Sequence, residues 1–425
     1  MVNQSEQNHA NDFNISIPVS SKKPTISLAV RHYLASTGLY ACILFFLWHN
    51  NWYGNIARAG FLSLSVKEFL LILWSLYLIF ALPVYLYFRP LSLWNSKPLI
   101  ILHWFKRIVN LTLVERTNWI HSQQGSWKMS YHEAQAFGVF FVKVFFGPLM
   151  LSFFFSAIEP TWNLAHKLWW VFQSISQNGQ LSAGLVAQLA HYEINLPGIE
   201  NNAYMLGDKA IQVFTKLFWD NAYLFSLKFL FLLDTMVFSF GYFWEAGFLK
   251  NRIRSVDLTV LGLLTCLCVY PPFNMVTNSV IHGVPNDMAS VDHMPTFTWV
   301  LRSLSITMVL IYVSASFALF TKASNLTNRG TVSRGPYAYV RHPAYTSKII
   351  FWLLTSIPFF FPSVLHPHFD MPNPWVNGFW MGCSLLAYAG IYYLRCITEE
   401  RHLARDPDYR DYMQKVTYRF IPKLW

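Results

Sequence analysis

Long apolar runs separated by short charged loops constrain this chain more than any other feature. A helix needs roughly 20 apolar residues to cross a bilayer. Eight stretches meet that standard: 28–48, 68–88, 135–158, 222–243, 258–280, 299–320, 345–363 and 376–394. Only 12% of the 425 residues are charged and 54% are hydrophobic, whereas soluble domains carry about 25% charged residues. The expected class is an all-α integral membrane protein.

Loop charges test that count. The loop 89–134 holds six basic and two acidic residues, and 159–221 holds three basic and five acidic. The loop 244–257 is basic through Lys250, Arg252 and Arg254, while 281–298 has only Asp287 and Asp292. The loop 321–344 carries Lys322, Arg329, Arg334 and Arg341 with no acid, 364–375 carries only Asp370, and the tail after 394 has seven basic and five acidic residues. Basic loops face the cytoplasm, so the alternation predicts eight spans with both termini cytoplasmic. The net charge of +11 is thereby explained by membrane loops, with no nucleic-acid partner.

The expected organisation is a disordered cytoplasmic N-terminus over 1–27 without a cleavable-signal pattern, a membrane region of about five spans over 28–298, and a distinct membrane domain over 299–425. Residues 99–120 mix an apolar face with Lys106, Arg107 and Arg116, which predicts a helix lying in the cytoplasmic interface. Residues 181–192 have the same character on the other side. The five cysteines lie in or beside apolar segments and read as reduced thiols.

None of the 19 glycines stands two residues from another, so no GxG turn exists to cradle a phosphate in a Rossmann domain. Chemistry points elsewhere. The stretch 329–348, RGTVSRGPYAYVRHPAYTSK, is basic and rich in tyrosine. Pro343 is placed to open a helix, leaving Arg341 and His342 beside backbone N–H groups that attract anions. An ordinary basic loop on lipid phosphates explains the same composition. After the last span come Arg395 and, four residues on, Glu399, which share a helix face; a surface ion pair is the plain alternative.

Lys143, Lys228 and Asp234 fall inside apolar spans and are functional candidates by default, although Lys143 and Asp234 pairing across helices is the simpler reading. His366, His368 and Asp370 have metal-ligand spacing, but Pro367 and Pro372 favour a stiff loop, and no metal is expected.

Taken together, Gly335–Pro336–Tyr337, Arg341–His342–Pro343–Ala344–Tyr345, then Arg395, Glu399–Glu400, Leu403, Tyr409, Tyr412 and Ile421–Pro422 resemble the isoprenylcysteine carboxyl methyltransferase family and its bacterial relatives, which include phospholipid methyltransferases. The resemblance covers about residues 320–425. It implies S-adenosylmethionine held at the cytoplasmic face without a Rossmann fold, contacted by Arg329, Gly330, Thr331, Val332, Tyr337, His342, Pro343, Ala344, Tyr345 and Glu399. Arg395 matches the residue that handles the acceptor, and with Glu399 it forms the expected catalytic pair. The implied partner is a membrane lipid or lipidated substrate, and no obligate protein partner is inferred. The chain departs from the family at Ser347, where a glycine is common, and at Asp406–Pro407–Asp408, where Phe-Gly is expected. Membrane sterol reductases, which bind NADPH, resemble the RHPxY stretch and the tail ending as well; their Arg-Asp-Glu is here Thr398–Glu399–Glu400. A transporter or scaffold with a vestigial site is the non-enzymatic alternative.

Overall fold

A computed structural model describes residues 23–49, 60–61, 64–115, 129–176, 208–246, 249–280, 294–360 and 374–423. The candidates His366, His368 and Asp370, the segment 181–192 and most of the N-terminal stretch 1–27 lie outside the described residues. The protein is overwhelmingly helical. Its α-helices are α1 (Ile26–His49), α2 (Val66–Phe88), α3 (Lys97–Glu115), α4 (Tyr131–Ser176), α5 (Asp208–Phe243), α6 (Val260–Leu267), α7 (Asn274–Val280), α8 (Pro295–Leu319), α9 (Pro343–Phe360), α10 (Pro374–Leu403) and α11 (Pro407–Lys415). Two short antiparallel ladders, Gly60–Phe61 with Leu64–Ser65 and Ser255–Val256 with Thr327–Asn328, complete it.

Five helices are long and apolar enough to cross a membrane: α1, α2, α4, α5 and α8. The expected spans 345–363 and 376–394 form α9 and α10, which fall short of that standard among the described residues. The expected span 258–280 is not one helix. It breaks between α6 and α7 because Pro271 and Pro272 lack the backbone N–H that a helix interior requires.

The span expected over 135–158 runs on to Ser176, and the one expected over 222–243 begins at Asp208. At 1.5 Å per residue, the 46-residue α4 is about 69 Å long against a hydrocarbon thickness of about 30 Å. The packed α4–α5 pair therefore projects beyond any bilayer at one end. The stretch 99–120, expected as an interfacial helix, is helical as α3 as far as Glu115, where the described residues end, and Arg107 ties it to α4 by donating to Glu133 at 2.8 Å.

Three apolar cores hold the bundle. One joins α4, α5 and α6 through Val142, Phe146, Leu149, Tyr242 and Cys266. A second joins α5, α8 and α9 through Leu227, Val309, Val313 and Phe351. A third seats α1 and α2 on α4 through Leu47, Val66 and Leu151.

Lys143 does not pair with Asp234. Its ammonium meets Glu245 at 2.8 Å, because Asp234 lies eleven residues earlier on α5, about 16 Å along the axis. Lys228 is exposed on the outside of α5.

The loops with basic character meet at one end of the bundle. Lys97 donates to the Ile253 carbonyl at 3.1 Å and Gln135 to the Val256 carbonyl at 3.1 Å. The Arg341 and His342 amides donate to the Tyr418 and Arg419 carbonyls at 3.0 and 2.9 Å. The described parts of 89–134, 244–257 and 321–344 and of the C-terminal tail thus share one face.

Candidate active site

The site grows from that face. Pro343 opens α9 directly after His342, and α10 runs back antiparallel, so Tyr345 and Glu399 come together although 54 residues separate them. The Tyr345 hydroxyl donates to Glu399 at 2.6 Å. Between these helices, α6, α8 and α11 lies a cavity of about 170 Å³.

Arg329, Gly330, Thr331, Val332, Tyr337, His342, Ala344, Tyr345, Arg395 and Glu399 all line it. Pro343 does not: its ring starts the helix and its carbonyl accepts the Ser347 hydroxyl at 2.8 Å.

On α10, Arg395, Glu399 and His402 fall at i, i+4 and i+7 and share a face about 10 Å long. Arg395, at the inner end, donates to the Asn325 side-chain oxygen at 2.5 Å. Its guanidinium carbon lies 5.9, 5.6 and 6.0 Å from the ring centres of Tyr270, Tyr345 and Tyr392. Asn325 is itself positioned by α5, since its amide donates to the Tyr242 hydroxyl at 2.7 Å. Gly241 makes that approach possible; a Cβ there would stand 2.1 Å from the Ala323 carbonyl oxygen. His402, at the outer end, is buried, bonds the Ser255 hydroxyl through Nε2 at 3.2 Å, and keeps Nδ1 without a partner. Burial pushes its pKa down, so the ring is neutral at pH 7.

Arg329 is 3% exposed, yet only its Nη1 is engaged, by the Asn251 and Thr321 carbonyls at 3.0 and 3.3 Å. Nε and Nη2 are buried without partners, as is the Thr331 hydroxyl. Gly330 holds φ +89, a left-handed conformation glycine adopts without strain, and Arg254 would collide with a Cβ there.

Glu400 serves a different purpose from its neighbour. It is 4% exposed and takes Arg341 at 3.2 Å, His342 at 3.1 Å and Arg419 at 3.0 Å. Burial opposes its charge, but His342, Arg341 and Arg419 together hold its pKa below the usual carboxylate value. His342 therefore stacks on Tyr345, with ring centres 5.3 Å apart, while its Nε2 faces Glu400. Cys396 approaches the same pair, the three ligand atoms lying within 4.8 Å of one another. Two guanidinium groups already on Glu400 oppose a cation there, and the cluster reads as an ion-pair hub fastening the tail.

Sequence reasoning missed Tyr270, Tyr312, Lys348, Tyr392, Asn325, Asp257 and His402, all in the cavity wall. Two of them, Asp257 and Tyr270, come from residues before 299, which the resemblance does not reach. The break at Pro271–Pro272 was a usable signal for Tyr270, since chain leaves a helix there. The departure at Asp406–Pro407–Asp408 also finds its reason: Arg254 pairs with Asp406 at 2.5 Å and Asp408 at 3.3 Å, and Asn328 donates to Asp406 at 3.2 Å.

Family models, curated proteins and solved structures yield no match to this chain.

Proposed function

We propose that the protein is an integral membrane methyltransferase that uses S-adenosylmethionine and modifies the headgroup of a lipidic acceptor. The observation that carries this reading is the convergence of both motif stretches on one cavity, closed by the Tyr345–Glu399 hydrogen bond. The wall fits such a cofactor in its donor set. The two unpartnered N–H groups of Arg329 suit a carboxylate, the half-buried Glu399 suits an ammonium or ribose hydroxyls, and His402 Nδ1 suits a heteroaromatic base. Bound there, S-adenosylmethionine supplies a methyl group already activated by its sulfonium, so positioning and charge management suffice.

The chain's own residues do the rest. Tyr270, Tyr345 and Tyr392 wall off water around Arg395 and fix its guanidinium plane. The fork of Arg395 orients an oxyanion, and an acceptor oxygen that is already anionic needs no base. In this reading the basic face is cytoplasmic, all eight apolar stretches span the bilayer and both termini are cytoplasmic. The gathering of the basic loops and the tail at one end supports it.

One observation favours a second reading. Lys322, Arg329, Arg341, Lys348 and Arg395 line the cavity against Asp257 and Glu399 alone, a balance that also suits the phosphates of NADPH in a sterol-reductase-like enzyme.

Methyl transfer from labelled S-adenosylmethionine to a total lipid extract, and separately to a delipidated soluble fraction, tests the proposal. Label is expected in lipid and is expected to be lost in mild base if a carboxyl oxygen is the acceptor. Label in the soluble fraction alone overturns the lipidic acceptor. Arg395→Lys is expected to lower turnover more than cofactor binding, since a point charge cannot replace the fork.

A further inference from the structure

Lys348 lies one turn past Tyr345 on α9 and closes the basic stretch 329–348; the resemblance gives it no role, yet it reaches the same cavity. Its Nζ sits 5.7, 5.1 and 5.5 Å from the ring centres of Tyr312, Trp352 and Tyr392. Arg395 shares one of those rings, its guanidinium carbon 6.0 Å from the centre of Tyr392. The two cations also match in depth. Lys348 is about 4.5 Å inward of Tyr345, and Arg395 about 6 Å inward of Glu399, on antiparallel helices.

Among the described residues neither forms an ion pair with a carboxylate. The acids in the wall are engaged elsewhere. Asp257 takes the Thr259 amide and hydroxyl at 3.0 and 2.8 Å, and Glu399 takes the Tyr345 hydroxyl. Asp234 stands behind Tyr312, whose hydroxyl donates to it at 2.8 Å, and acts on Lys348 across that phenol without an ion-pair contact. Ring faces attract a cation but do not neutralise it, and removing two cations from water without an anion is costly.

We propose that Lys348 is a second contact for the acceptor headgroup, acting with Arg395 to select an oxyanion and to reject zwitterionic and amine headgroups. The acceptor is then an anionic amphiphile. Its description as an acceptor rests on the methyltransferase reading; the selectivity does not.

The test uses the full chain in a non-ionic detergent with three amphiphiles of one chain length: dodecyl phosphate, laurate and dodecylphosphocholine. Binding is followed by isothermal titration calorimetry. Both anions are expected to bind at least about tenfold more tightly than the zwitterion, the worth of one charge-assisted contact. Lys348→Met is expected to abolish most of that preference and Lys348→Arg to keep it. Equal binding of the three amphiphiles to the wild-type protein overturns the proposal, as does anion preference surviving in Lys348→Met. The wild-type comparison decides even if Lys348→Met does not fold. If anions are selected through Lys348 while S-adenosylhomocysteine fails to bind, the methyltransferase reading falls and the anion contact stands.

Discussion

Glu399 and Glu400 are adjacent in the chain and about 100° apart around α10, so they meet different chemistry. Glu399 faces the cavity, and Glu399→Ala is expected to weaken S-adenosylhomocysteine binding about tenfold or more while leaving the fold intact, since a charge-assisted hydrogen bond is worth about 1.5–3 kcal/mol. Glu400 neutralises Arg341 and Arg419 inside the protein. Glu400→Ala leaves the buried Arg341 guanidinium unpaired and is expected to cost about 3 kcal/mol of stability, read as a lowered melting temperature in detergent. His342→Ala belongs with Glu400: its ring bonds that carboxylate, so the expected loss is mainly of stability. The sequence reading placed both glutamates at a membrane exit and gave a site role to Glu399 alone, which shares a helix face with Arg395. Helical periodicity distinguishes their directions, but which direction held the cavity depended on packing against Tyr345 and Arg419, far away in sequence.

At the scale of elements, apolar length made most helices legible, because a membrane span is a property of composition. What composition does not carry is where a helix stops when both sides remain apolar. The stretch 258–280 reads as one span by hydropathy, yet Pro271 and Pro272 divide it and turn Tyr270 toward Arg395. The ends of α4 and α5 overrun their apolar cores because the two helices continue to support each other outside them. Close contact between elements was equally hidden. Gly241 admits the Ala323 carbonyl against α5, and Gly241→Val is expected to displace the segment 322–332. The measurable outcome is a fall in S-adenosylhomocysteine affinity together with melting temperature, whereas Gly38→Val, where a side chain meets nothing within 4 Å, is expected to leave both unchanged.

For the whole molecule, the two halves expected from the sequence, 28–298 and 299–425, share one site: Tyr242, Asn251, Arg254 and Tyr270 hold or line what the motif residues begin. Apart from the Pro271–Pro272 break beside Tyr270, no pattern in the first 298 residues announced this, since each contributes one side chain through tertiary contact. A pH response belongs to the first of these halves. Burial opposes the charge on Glu245, but Lys143 and Lys97 hold its pKa at about 2, below its ordinary 4.5. A depressed carboxyl contributes stability above its unfolded value and loses it as pH falls toward the folded one. Melting temperature is therefore expected to drop between about pH 4.5 and pH 2, and Glu245→Gln is expected to flatten part of that slope.

The central claim is that the cavity joining Tyr345 to Glu399 is an S-adenosylmethionine site, and differential thermal stabilisation tests it most directly. The purified full chain is melted with S-adenosylhomocysteine and with NADP at matched, saturating concentrations, beside Glu399→Ala. The account predicts stabilisation by S-adenosylhomocysteine that disappears in Glu399→Ala, with no stabilisation by NADP. Stabilisation by NADP alone contradicts it and points to the reductase reading.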